Sequence, residues 1–162
     1  MVNFDSEKLI KFIAFAKKQG YASTTSIFKK TEDGGKTCEV EEGDFVYTDT
    51  YFGSSIDCGQ ERVYFKGKVI WVMAYRGGIM RNEELYYEAF NFLKKCISMM
   101  PKIFPARGPK EFKEGDWTYE NKWQGDITGF TGEENIYFKG EQTCFRNYVG
   151  GLIKNKHDSE SL

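Results

Sequence analysis

Two stretches of the chain place their apolar residues at helical spacing. In residues 6–19, Leu9, Ile10, Ile13 and Ala16 share one face, while Lys8, Lys11, Lys17 and Lys18 fall outside it. Asp5 or Ser6 is placed to cap the first free N–H groups, and Gly20 to end the helix in a left-handed conformation. Residues 83–99 read the same way, with Leu85, Ala89, Phe92, Leu93, Cys96 and Ile97 as the stripe. Asn82 is the candidate cap, Glu83 and Glu84 suit the positive end of the helix dipole, and Pro101 and Pro105 block continuation.

The rest of the pattern belongs to strands. Residues 45–52 and 117–124 are aromatic-rich extended segments that each follow a Gly-Asp turn. Residues 61–65 and 68–75 are separated by Lys66-Gly67 alone, and a second such pair is separated by Lys139-Gly140. A two-residue connection containing Gly predicts a tight hairpin, because primed turns need positive φ. Residues 24–42 contain Asp33-Gly34-Gly35 and are expected to add a turn with short flanking strands, and residues 155–162 read as a polar tail.

These elements occur twice. Gly43-Asp44-Phe45-Val46-Tyr47 returns as Gly115-Asp116-Trp117-Thr118-Tyr119, and Tyr64-Phe65-Lys66-Gly67 as Tyr137-Phe138-Lys139-Gly140. Gly59, Glu61, Tyr75, Gly77 and Gly78 return as Gly132, Glu134, Tyr148, Gly150 and Gly151. A unit of this size is marginal alone, so the two are expected to share one core. The predicted fold is α+β: an internal duplication of a helix–strand–hairpin unit, with two helices packed on one face of a curved antiparallel sheet. The domain is expected over residues 1–154, with repeats at about 5–80 and about 82–154.

Composition narrows the function classes. Basic and acidic side chains number 23 and 24, which gives no field to attract nucleic acid or an anionic membrane surface. No apolar run approaches the length of a membrane span. Cys38, Cys58, Cys96 and Cys144 are dispersed, and the N-terminus lacks a basic segment followed by an apolar one. Reduced thiols and a cytoplasmic location are the expectation. The single histidine, His157, lies in the tail, which leaves no material for a His-based triad or a His-containing metal site. No metal ligand set and no phosphate or dinucleotide loop is found, so no cofactor is expected.

Simple alternation from the hairpin turn sorts the side chains. It puts Glu61, Val63 and Phe65 with Ile70 and Val72 on an aliphatic side, and Arg62, Tyr64, Val69, Trp71, Met73 and Tyr75 on an aromatic one. In the second copy Glu134, Ile136, Phe138, Thr143 and Phe145 fall on the first side, and Asn135, Tyr137, Cys144, Arg146 and Tyr148 on the second. The aromatic side is either an open interaction surface or is covered by residues 45–52 and 117–124. Glu61 and Glu134 are either buried carboxylates of the kind found at functional sites, or strand ends reaching solvent. Pseudo-symmetry gives the two no reason to differ in pKa, so an acid–base enzyme has little support. Arg107-Gly108-Pro109 reads as a rigid turn whose guanidinium makes a surface salt bridge or holds an anion.

One family resemblance rests on several of these motifs. Glu42-Gly43-Asp44-Phe45, Asp49-Thr50-Tyr51-Phe52-Gly53, Gly59-Gln60-Glu61 and Tyr64-Phe65-Lys66-Gly67-Lys68 resemble the DUF5680 family. So do Arg107-Gly108-Pro109, Gly125-Asp126, Gly132-Glu133-Glu134 and Gly150-Gly151, and the likeness runs over residues 7–154. The resemblance implies a domain of uncharacterised function, found alone or behind helix-turn-helix domains. No such segment precedes it in this sequence, so no DNA contact is expected. In outline the plan is also similar to GyrI-like effector-binding domains, whose halves form an aromatic cleft.

The leading functional expectation is a binding module for a small molecule or peptide, using an aromatic cleft between the repeats. Tyr64, Trp71, Tyr75, Tyr137 and Tyr148 would supply stacking, with Arg146, Glu61 and Glu134 orienting polar groups. An interaction module, with a homodimer through the same side, is the alternative, and a hydrolase using Glu61 and Glu134 is the third.

Overall fold

The computed structural model describes residues 5–22 and 28–155. Helix α1 spans Ser6–Gln19, with the Asp5 side chain accepting from the Glu7 N–H at 2.9 Å. It buries Leu9, Phe12, Ile13 and Ala16, and also Lys17, which helical spacing had set outside the apolar face. Gly20 has φ −85°, so the helix does not end in the left-handed conformation expected there; its N–H instead reaches the Ala16 carbonyl at 2.7 Å. Helix α2 spans Tyr86–Ser98 after a short 3₁₀ turn over Glu83–Leu85, and buries Ala89, Phe92, Leu93, Cys96 and Ile97. Asn82 makes no side-chain cap.

Among the described residues, nine strands form one open antiparallel sheet: β1 Lys29–Lys30, β2 Lys36–Glu42, β3 Phe45–Gly53, β4 Ile56–Phe65, β5 Lys68–Ile79, β6 Glu111–Glu114, β7 Trp117–Asp126, β8 Gly129–Phe138 and β9 Glu141–Leu152. Their spatial order is β1-β2-β3-β4-β5-β9-β8-β7-β6, so each half is a meander and the halves meet where β5 pairs with β9. Tyr75 stands opposite Tyr148 at that seam. The residues expected to add short strands include 29–42; residues 23–27 and 156–162 of the remaining calls lie outside the described residues.

Both hairpins have the predicted turn. Lys66 and Gly67 have φ 49° and 76°, and Lys139 and Gly140 have φ 50° and 82°. Positive φ at both central residues matches the twist of the flanking strands. Phe65 pairs with Lys68 as alternation requires.

The register then slips. A bulge between Val63 and Tyr64 leaves Ile70 unopposed, so Val63 faces Trp71 and Glu61 faces Met73. A second bulge between Ile136 and Tyr137 does the same to Thr143, so Glu134 faces Arg146. A one-residue slip transfers every later side chain to the opposite face. The separation into aliphatic and aromatic sides is therefore overturned. Trp71, Met73 and Tyr75 share a face with Glu61 and Val63, and Cys144, Arg146 and Tyr148 share it with Glu134 and Ile136, whereas Tyr64 and Tyr137 point to the other.

Both helices cover the shared face. Leu9, Phe12, Ile13 and Ala16 pack with Tyr47, Val63, Trp71 and Met73, and Ala89, Phe92, Leu93 and Cys96 pack with Ile79, Tyr119, Ile136 and Cys144. The helix–sheet contacts match between halves. Phe12 stacks on Phe45, which leans on Phe65 at 4.8 Å; Phe92 stacks on Trp117, which leans on Phe138 at 4.7 Å.

Candidate functional site

Across the helix-covered face the strands align their residues in rows. One row runs Tyr51, Gly59, Tyr75, Tyr148, Gly132, Trp123, an aromatic ring, a glycine and a tyrosine from either end. The tyrosines lie over the glycines: a Cβ on Gly59 would come 2.5 Å from Tyr75 Oη, and one on Gly132 would overlap the Tyr148 ring. The two flanking rows hold the charges. Asp49, Glu61 and Met73 lie in one, and Asn121, Glu134 and Arg146 in the other, which ends across Gly77 at Asp57. A Cβ at residue 77 would come 2.2 Å from the Phe145 carbonyl oxygen and 2.7 Å from Arg146 Cβ, so this glycine lets β5 approach β9 closely beside the arginine.

Glu61 and Glu134 are both buried, which removes the strand-end alternative. Their partners differ. Glu134 accepts from Arg107 Nε at 3.0 Å, from Arg107 Nη2, and from the Tyr119 hydroxyl at 2.6 Å. Arg107 is itself buried, so its pairing is not a surface one. Burial alone would push the Glu134 carboxyl up, but Arg107, with Arg146 and Tyr119, holds it below the usual carboxylate range. Glu61 accepts from Lys17 Nζ at 2.8 Å, and the same ammonium donates to the Ala106 carbonyl. Glu61 Oε2 also lies 2.8 Å from Lys17 Nζ, within the same ion pair, and has no further donor of its own. The Tyr47 hydroxyl stands where Tyr119 stands in the other half, and it has no hydrogen-bond partner.

The row above adds a second difference. Tyr148 donates to Asn121 Oδ1 at 2.7 Å, while Tyr75 donates to Asp49 Oδ1 at 2.7 Å. Asp49 therefore stands where the second half has an amide. Burial and the neighbouring Glu61 charge push its carboxyl up to about 7, against the pull of the Tyr75 hydroxyl, Lys17 and Arg107. Arg146 donates to both Asp57 oxygens at 2.6 and 3.0 Å and lies 4.9 Å from the Tyr75 ring centroid.

These groups border a cavity of about 320 Å³ between the helices and the centre of the sheet. Asp49, Asp57, Glu61, Tyr75, Arg107 and Arg146 form its buried wall, and Lys17 reaches it from α1. Tyr51, Tyr86, Tyr87 and Phe90 supply ring faces nearer solvent, with Lys36 and Lys94 beside them. Of the residues expected to form a site, Glu61, Tyr75 and Arg146 border this cavity. Glu134 lies behind Arg107, Trp71 and Tyr148 are core residues, and Tyr64 and Tyr137 are half-buried on the opposite face. Asp49, Asp57 and Lys17 were not singled out as site residues in the sequence. The signal that identifies Asp49 is the comparison of the two matched sequence segments, which carry an acid and an amide at corresponding positions.

Among the described residues there is no group of three or more His, Cys, Asp or Glu able to hold a metal ion, and no helix long and apolar enough to cross a membrane. No curated protein and no solved structure matches the chain. Residues 49–153, from Asp49 in β3 to the residue after β9, match the family described as a domain of unknown function, DUF5680. The chain belongs to the DUF5680 family.

Proposed function

We propose that this chain is a small-molecule binding module whose site is the cavity between α1, α2 and the centre of the sheet. The observation that carries the reading is the wall of that cavity: buried ionic groups, incompletely hydrogen-bonded, facing a void rather than apolar packing. Buried ions are costly unless each is satisfied, and a core built only for stability has no use for a half-satisfied set. The volume of about 320 Å³ lies at the small end of ligand pockets, and aromatic walls with a few convergent polar groups are their usual lining. The site differs from the one expected from alternation, because it lies on the helix-covered face.

The same reading includes an internal duplication, supported by the matched bulges, hairpins, ring stacks and the Tyr75–Tyr148 seam. One half then keeps both Glu134 oxygens hydrogen-bonded, and the other leaves Glu61 and Asp49 facing the cavity. A thermal-shift screen tests the proposal, followed by Tyr87→Ala and Asn91→Ala. Both residues are exposed and border the mouth, so neither substitution disturbs the core. Loss of the ligand-induced shift with an unchanged free-protein Tm supports the site; hits unaffected by both substitutions oppose it.

A second reading has one observation in its favour. Asp49, pushed up to about 7, stands opposite Glu61, and a carboxyl that keeps its proton near neutral pH can serve as a general acid. Turnover of any substrate that is lost in Asp49→Asn would favour it over simple binding.

A further inference from the structure

Charge is unevenly placed along the cavity. Four carboxylates are buried around it, Asp49, Asp57, Glu61 and Glu134, against three buried cations, Lys17, Arg107 and Arg146. Each cation has its own acid: Lys17 has Glu61, Arg107 has Glu134, and Arg146 has Asp57. Asp49 is left with the neutral Tyr75 hydroxyl as its hydrogen-bond donor. Beside it, Glu61 is only 3% exposed and borders the cavity, with both carboxylate oxygens 2.8 Å from Lys17 Nζ. Arg146 Nε lacks a hydrogen-bond partner, but it sits 3.5 Å from Glu134 Oε1, so its charge is already met. At the outer end the sign reverses, because Lys36 is exposed and Lys94 half-exposed. Lys36 Nζ lies 5.9 Å from the Tyr51 ring centroid and Lys94 Nζ 5.8 Å from that of Tyr21.

Resting on the binding reading above, we infer that the cavity takes a small zwitterion, its protonated amine seated at Asp49 and Glu61 and its anionic end at Lys36 and Lys94. The amine supplies the missing positive charge beside Asp49, whose carboxylate otherwise has only the Tyr75 hydroxyl as donor. The rings of Tyr51, Tyr75 and Tyr86 border the route and offer their faces to a cation. The anionic end stays near solvent, where the rim lysines meet it without a large desolvation cost.

The arrangement carries its own pH signature. Asp49 is faced by Lys17 from α1, Cys38 from β2, Glu61 from β4, Tyr75 from β5 and Arg107 from the segment after α2. With its carboxyl pushed up to about 7, Asp49 holds a proton below neutrality, and a bound amine displaces it. Affinity therefore rises with pH through neutrality, for as long as the amine stays protonated.

Calorimetry on the full chain tests this with matched probes on benzyl, butyl and indolyl bodies. Each body is offered as amino acid, amine, carboxylate and alcohol, at about pH 6 and about pH 8. The expected result is an amino acid binding about tenfold or more tighter than the carboxylate or alcohol of the same body, and tighter at the higher pH. Asp49→Asn, which copies the Asn121 position, removes the pH dependence. Lys36→Ala with Lys94→Ala lowers the amino acid to the affinity of the amine and leaves the amine unchanged. Tightest binding by carboxylates or alcohols overturns the zwitterion assignment and leaves the binding module standing. Failure of every probe to bind overturns both.

Discussion

Asp49 and Glu61 stand directly opposite one another on β3 and β4, both buried, and their matched positions in the other half hold Asn121 and Glu134. An acid therefore replaces an amide beside a second acid. Because burial and Glu61 raise the Asp49 carboxyl to about 7 from an ordinary 3.8, the folded chain binds more protons than the unfolded chain between those values. Stability from this residue is accordingly greatest below about pH 4 and falls as pH rises through about 7. Asp49→Asn keeps an acceptor for Tyr75 and removes the charge. It is expected to stabilise the free protein at pH 8 by on the order of 2 kcal/mol and to flatten the profile between pH 5 and 8. Urea midpoints across that range check it.

Arg107 and Glu134 carry the opposite sign. Glu134 is held below the usual carboxylate range, so its contribution is full above an unfolded value of 4.5 and is lost as pH falls through the lower folded value. Arg107→Met leaves this carboxylate buried with the Tyr119 hydroxyl and the more distant Arg146. The loss is expected to be about 3–5 kcal/mol at neutral pH. The acid limb attributable to Glu134 should vanish with it, which acid denaturation curves of the two proteins can compare.

Gly132 is a packing requirement. The Tyr148 ring lies over it, and the ring's hydroxyl is tied to Asn121, so the tyrosine cannot swing away freely. Gly132→Ala is expected to cost about 1–3 kcal/mol by overpacking. Gly132→Ala combined with Tyr148→Leu should recover part of that loss if the ring is the obstacle, as thermal unfolding would show.

Trp71 and Tyr64 separate the two faces. Trp71 is fully buried, and its indole N–H donates to the Ile127 carbonyl at 2.9 Å. Trp71→Ala is expected to cost about 3–5 kcal/mol, so any loss of binding in that variant reports unfolding. Tyr64→Ala, on the uncovered face, should leave both fold and ligand affinity nearly unchanged. Chemical denaturation and calorimetry on the two variants distinguish these outcomes.

Local features of the fold were legible in the sequence, and register was not. The α1 limits, the core stripe of α2 and both Lys-Gly turns follow from spacing and backbone preference within a few residues. The bulges at Val63/Tyr64 and Ile136/Tyr137 break that locality. A single extra residue, Ile70 or Thr143, sends Trp71, Tyr75, Arg146 and Tyr148 to the covered face, and nothing in the alternation announces it. The ionic pairs are harder still. Lys17 meets Glu61 44 positions away and Arg146 meets Asp57 89 positions away, separations that only the folded sheet brings together. What the two matched sequence segments did hold was the list of positions where they disagree, Asp49 against Asn121 and Met73 against Arg146. Those are the positions that make one half of the sheet differ from the other.

Amide chemical-shift mapping on ¹⁵N-labelled protein with the amino acid and amine probes locates the binding site directly. Saturable shifts are expected to cluster at Tyr51, Glu61, Tyr75, Tyr86 and Phe90, all bordering the cavity. Shifts centred instead on Tyr64 and Tyr137, on the opposite face, would contradict a site in the cavity, as would saturating probe that moves none of the cavity amides.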